Sequence, residues 1–250
     1  MAKKVYVGVN NTANQVKKMY IGVNGTARNI KKGYIGVGGV ARQFFALGTP
    51  LRDIAEGSVI KLKENGSLVE FYVAKHNYES GLNGSGRTLV VRKDCYQNMA
   101  AGSATWQSSS LRSWLNNNYI NMLDYDIREL IGTTQFYHTA KGRVTSVTTR
   151  SDAIFLLSAT EYGRSSSYGY INVEGSTLPT ASILRVAYLD GNAVAHWTRS
   201  PSNQSTSVVA HINRYGSLNE FSSIDSSCGV RPVFTLPDWI LISDDMTVIT

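Results

Sequence analysis

Two cysteines, Cys95 and Cys228, and four histidines, His76, His138, His196 and His211, are the side chains here best suited to nucleophilic, redox or metal chemistry. Their spacing argues against each. The cysteines lie far apart and form no CxxC pair, so each reads as a small packed thiol. No HExxH or related ligand spacing places two histidines on one helical face. Serine, histidine and aspartate are present, but no pattern marks a nucleophile, a base and an orienting acid. Asp244 and Asp245 are adjacent and Asp225 is isolated, which falls short of the dense oxygen ligands of a calcium loop. These residues predict no catalytic set, no metal site and no cofactor: the expectation is a protein that is not an enzyme.

Recognition chemistry is better represented. Residues 202–226 read SNQSTSVVAHINRYGSLNEFSSIDS. Asn203, Gln204, His211, Asn213, Tyr215, Asn219 and Phe221 alternate there with small residues. Tyrosine and asparagine give contact area and adaptable hydrogen bonds at low entropic cost. Loops fixed on a rigid scaffold are where binding concentrates. These seven form the expected ligand-binding set, facing solvent on one side of the domain. A solvated loop without a ligand is the alternative. Trp197, Arg199, Ser200 and Pro201 read instead as structural, as do Gly229, Arg231 and Phe234, and Trp106, Arg112 and Trp114, because a buried tryptophan with one satisfied polar atom is ordinary. Glu161 reads as a buried partner for one of these arginines.

The chain opens with three copies of one phrase: KVYVGVNNTANQVK from Lys4, KMYIGVNGTARNIK from Lys18 and KGYIGVGGVARQFF from Lys32. Tyr6, Tyr20 and Tyr34 set a period of 14 residues. Fixed-period self-similarity marks a repeat architecture. Each copy has an alternating run, a turn pair (Asn10-Asn11, Asn24-Gly25, Gly38-Gly39) and a second run, the signature of a tight hairpin. Residues 3–45 are predicted to form a β-meander of three hairpins in one small sheet. Isolated hairpins are marginal in water, so this segment is expected to lean on neighbours or on other copies of itself.

The repeat holds eight basic residues, and no acidic residue precedes Asp53. The remainder carries 17 basic against 18 acidic residues. Lysine pairs at repeat junctions guard exposed strands against aggregation, and without interleaved aromatics they do not predict nucleic-acid binding. No apolar stretch approaches the ~20 residues of a membrane span, so no membrane insertion is expected. The first residues lack an apolar signal core, which predicts synthesis in the cytoplasm without a signal peptide.

Ala46 to Pro50 punctuate the chain and divide it into a repeat segment, 1–46, and a larger domain, 52–250. Residues 59–63 and 68–78, joined across Asn65-Gly66, predict a hairpin. Residues 88–95, 207–212 and 231–236 predict strands, and the apolar run 153–158 a buried strand. Helices are predicted over 108–122, capped by Ser109 or Ser110, and over 124–131.

Four phrases carry a resemblance: SSSLRSWLNNNYINML (108–123), SDAIFLLSATEYG (151–163), HWTRSP (196–201) and SCGVRPVFTLP (227–237). Their order resembles a bacterial and phage family of uncharacterised function, over about residues 55–242. That family looks like a distant relative of the C-type lectin-like fold, the fold of formylglycine-generating enzymes and of retroelement variable proteins. The resemblance implies an α+β, C-type lectin-like domain with few helices, antiparallel sheets and long loops. In the variable proteins the diversified, ligand-facing residues precede the final strand, where 202–226 lies. The repeat resembles those of phage tail proteins. The expected function is thus a non-enzymatic receptor- or target-binding component of a virion, phage tail or tail-like particle. Its expected partners are a host-surface glycan or protein, other particle proteins, and itself as a homotrimer. A purely structural baseplate or decoration subunit is the alternative. A formylglycine-generating-type oxidase would need an active-site cysteine pair, and no family motif surrounds Cys95.

Overall fold

The computed structural model describes residues 5–9, 12–16, 19–30, 32–37, 39–46, 48–165 and 169–249. It is mostly β, with a few short helices, several small antiparallel sheets and an N-terminal set of β-hairpins. The hairpins pair Tyr6–Val9 with Thr12–Gln15, Met19–Val23 with Thr26–Ile30, and Lys32–Val37 with Val40–Ala46. In the second, Asn24 and Gly25 have φ of 49° and 76°, the doubly positive turn the sequence demands. The expected single sheet does not form. Among the described residues each hairpin closes its own two-stranded sheet. Tyr6, Tyr20 and Tyr34 stay more than half exposed, as do Val7, Ile21 and Val40.

The chain enters the larger unit tightly. Thr49–Pro50 pairs with Leu241–Ile242, and at Gly48 any Cβ would stand 2.2 Å from the Ile242 carbonyl oxygen. Val59–Glu64 and Ser67–His76 form the predicted hairpin about Asn65-Gly66. With Arg87–Arg92 and Val233–Pro237 they make a four-stranded antiparallel sheet. Its inner face supplies Ile60, Phe71, Val90 and Phe234, with Phe71 edge-on to Phe234 at 5.5 Å. Burying each such side chain stabilises by about 1.5–3 kcal/mol.

A five-stranded sheet carries the recognition segment, in the order Asn98–Ala100, Ser227–Gly229, His196–Pro201, Val208–Ile212, Leu218–Ser223. The 196–201 phrase is therefore a strand, buried at every position. Helix Ser110–Asn117 starts where Ser109 accepts the Arg112 amide and buries Leu111 and Leu115. It is shorter than expected: Asn118 is its C-cap, with the amide still on the Trp114 carbonyl at 2.8 Å, and Tyr119–Met122 then tightens into a 3-10 turn. The second helix spans only Tyr125–Arg128. The 153–158 run is buried but forms no named strand; Phe155 bridges Val233 and stacks on Phe136 at 4.5 Å. Among the described residues no helix is long and apolar enough to cross a membrane.

Candidate functional site

The recognition segment is built on a hairpin. Val208–Ile212 pairs with Leu218–Ser223 in an antiparallel ladder whose register shifts between Val209 and His211. Asn213 closes the connecting turn: its Oδ1 accepts the Tyr215 and Ser217 amides at 2.9 and 3.0 Å. Gly216 has φ of 78°, and a Cβ there would meet the Arg185 Cβ at 3.0 Å. Arg164 Nε donates to the Gly216 carbonyl at 3.0 Å, tying the turn to the body. A turn bonded so closely directs its central side chains outward. Tyr215 is 74% exposed, and the Arg214 guanidinium lies 5.0 Å from its ring centroid.

Beneath Tyr215 opens a cleft of about 430 Å³. Asn213, Arg214 and Tyr215 form one wall, residues 193–195 the back, and Asn98 and Ser227 the far side. The back belongs to a small hairpin in which Ala193 pairs with Tyr188, itself 46% exposed. The volume falls within the ~300–1,000 Å³ of small-ligand sites.

The structure divides the seven expected residues. Asn213 and Tyr215 line the cleft. Asn203 and Gln204 lie at the opposite end of strand Val208–Ile212. Asn203 donates there to the Gly169 carbonyl at 2.9 Å, and Gln204 Nε2 donates to Asn203 Oδ1 at 2.9 Å. Asn219 is exposed opposite His211 in the ladder. The Phe221 side chain lies outside the described residues. His211 departs from expectation: it is buried, hydrogen-bonded to Ser222 and packed edge-on to Trp197. The strand is buried at every position from Val209 to Ile212, on both faces, so the ring has no solvent side there. Burial lowers its pKa, so it stays neutral. The Ser222–His211 contact pins two strands together under a tryptophan and opens onto no cleft.

The four sequence phrases do a different job. Arg199 and Glu161 form a fully buried ion pair, with Nη1 to Oε2 at 2.6 Å and Nη2 to Oε1 at 3.0 Å. Arg199 also donates to the Tyr137 and Leu156 carbonyls, at 2.9 and 2.7 Å. Burial alone would lower its pKa, yet the adjacent Glu161 raises it above the ordinary arginine value. Tyr78 donates to Glu161 and its own pKa is raised, by burial first and then by that carboxylate. Arg112 grips Asp152 through Nε at 2.9 and 3.0 Å, and Trp106 donates to the same carboxylate at 2.7 Å. Arg231 donates to the Arg92 carbonyl at 2.7 Å. These groups face one another inside the protein, where they hold loops to sheets.

Burial raises the pKa of Cys95 and of Cys228 to about 11, which makes poor nucleophiles of both. Among the described residues no three His, Cys, Asp or Glu side chains gather closely enough to hold a metal ion.

Sequence reasoning missed Arg214, Asn98, Ser227 and residues 193–195, which run out of strand Asn192–Val194. Only Arg214 had a visible signal: a charge beside an aromatic within an N-x-x-G turn.

The domain is mostly β, its interior is tied by arginine–carboxylate pairs, and it carries an open cleft at a hairpin tip and another, of about 440 Å³, lined by Thr160, Arg164 and Asn172. A family model described as a domain of unknown function (DUF6273) matches residues 85–238, and the chain belongs to that family. No curated protein matches the chain. No solved structure matches it either.

Proposed function

We propose that this protein is a non-enzymatic receptor- or target-binding component of a phage tail or tail-like particle, with a C-type lectin-like recognition domain. The observation that carries the reading is the exposed Tyr215 on a turn locked by Asn213, Gly216 and Arg164, above an open cleft. A rigid aromatic anchor on a pre-organised loop is what binding surfaces use. Small sheets, short helices and long bonded loops support the lectin-like assignment, and the 14-residue repeat supports the particle assignment by its resemblance to tail proteins.

The repeat attaches or oligomerises the domain, as a homotrimer. Two-stranded hairpins that leave Tyr6, Ile21 and Val40 more than half exposed bury too little to be stable alone. That same exposure favours the second reading, a structural particle subunit whose surfaces only pack on neighbours.

Fluorescently labelled full-length protein, applied to a panel of bacterial cells, tests the first reading. Saturable binding should fall at least about tenfold in Tyr215→Ala, with the melting temperature unchanged, because a hot-spot aromatic carries binding and not the fold. Binding to no cell in the panel, or binding that ignores the substitution while particle assembly fails, would favour the structural subunit.

A further inference from the structure

The chemistry of the cleft narrows what can occupy it. Asn213 spends its Oδ1 on the turn, so toward a ligand it presents the Nδ2 donor. Arg214 presents a guanidinium that lies against the Tyr215 ring, and among the described residues no carboxylate reaches ion-pair distance of it. Among the described residues no acidic side chain lines the cleft. The walls are therefore rich in donors and positive, and an occupant should bring acceptors and negative charge. Guanidinium matches carboxylate in planar, two-point geometry.

The rest of the surface points to a sugar ring. Tyr215 offers an open aromatic face at the rim. The back wall is lined by Ala193, Val194 and Ala195, short side chains that leave a ring room to lie against them. Asn98 and Ser227, both exposed, can each donate and accept, as a ring of hydroxyls requires.

We infer that the cleft binds an acidic saccharide, with the sugar carboxylate on Arg214, the ring against Tyr215, and the hydroxyls on Asn213, Asn98 and Ser227. This rests on the recognition reading above and names the ligand class for the same site. Arg214 is then the specificity residue. The aromatic contact contributes to any sugar, whereas the guanidinium selects the acid.

The test is isothermal titration of the full chain with trigalacturonate and sialyllactose, against the carboxyl-reduced form of each. At least one acidic probe should bind about tenfold or more tightly than its reduced counterpart, the increment of one charge-assisted hydrogen-bonded contact. Arg214→Gln should erase that preference, so that the acidic probe binds no more tightly than its reduced counterpart. Tyr215→Ala should weaken both forms. Raising the salt concentration should weaken only the acidic probe. Equal affinity for acidic and reduced sugars, or a preference that survives Arg214→Gln, overturns the acidic-ligand inference and leaves the recognition reading standing if Tyr215→Ala still matters. Binding of neither acidic probe, or competition by a poly-glutamate peptide alone, also overturns it. Cell binding, measured separately, decides the recognition reading.

Discussion

Replacing Glu161 by glutamine probes the interior most directly. The carboxylate accepts two hydrogen bonds from Arg199, one from the Ser158 amide at 2.8 Å and one from Tyr78. Each oxygen thus faces two donors. An amide keeps one oxygen and turns an NH₂ toward the other two, so donor meets donor and a fully buried guanidinium loses its counter-charge. Removing one partner of a buried pair costs about 3–5 kcal/mol. Against a total stability of ~5–15 kcal/mol, that is a large share. With a urea slope near 3 kcal/mol/M, the unfolding midpoint should fall by about 1 M or more. Arg199→Met in the same background should recover only part of the loss, because the Tyr137 and Leu156 carbonyls then lack their donor. Urea melts followed by tryptophan fluorescence measure all three proteins. A shift in Glu161→Gln equivalent to less than about 1 kcal/mol would refute the assignment of this pair as the tie between the 158–161 turn and the central strand.

Further outcomes are expected. Trp197→Ala should cost about 3–5 kcal/mol in the same melts, since its indole is buried and donates to the Met99 carbonyl at 2.8 Å; half-buried Trp114 should cost less. Acid should destabilise the domain: burial lowers the pKa of His196, His138 and His211 in the native state, so the unfolded chain binds protons first. Their contribution is fully present above pH ~6.5 and is lost as pH falls, by up to about 1.4 kcal/mol per unit for each histidine. Glu174, whose pKa burial raises despite the pull of Arg199, acts in the opposite sense, favouring the fold as pH falls through its own raised pKa, so the loss in melts between pH 7.5 and 5 should flatten toward the acid end. His196→Phe should flatten that slope, because it removes the most deeply buried of the three titrating rings. Iodoacetamide at pH 8 should leave Cys95 and Cys228 unmodified in the native protein and alkylate both in urea, as mass spectrometry will read. Deleting residues 1–46 should leave the remainder folded but less associated by light scattering; equal monomer mass for both proteins would remove the repeat from assembly.

Local chemistry was the legible part. Asn24-Gly25 and Asn65-Gly66 announce their turns because positive φ demands particular residues, and those hairpins form as expected. The buried acid at Glu161 was readable because it follows an apolar run that has no route to solvent. Pairing between distant segments was not readable. The 153–158 run has the composition of a strand, yet it meets Val233 at one bridge only. His211 was expected to face outward, but its strand is buried on both faces there, which composition does not mark. The cleft escaped for a related reason. Asn98, Ala193, Arg214 and Ser227 are polar or small residues at unrelated positions, and only the five-stranded sheet and its neighbouring hairpin bring them to one place.

The three N-terminal hairpins each complete their own ladder, with none shared between them among the described residues. Copy number is consequently a free parameter. Slippage or unequal crossing-over between near-identical 14-residue units adds or removes a whole hairpin and leaves every remaining register as it was. An insertion of one residue inside a unit has no such immunity, since it reverses which side chains face which way along the strand. Selection can therefore lengthen or shorten this segment in steps of one hairpin without reopening the folding problem of the domain that follows it.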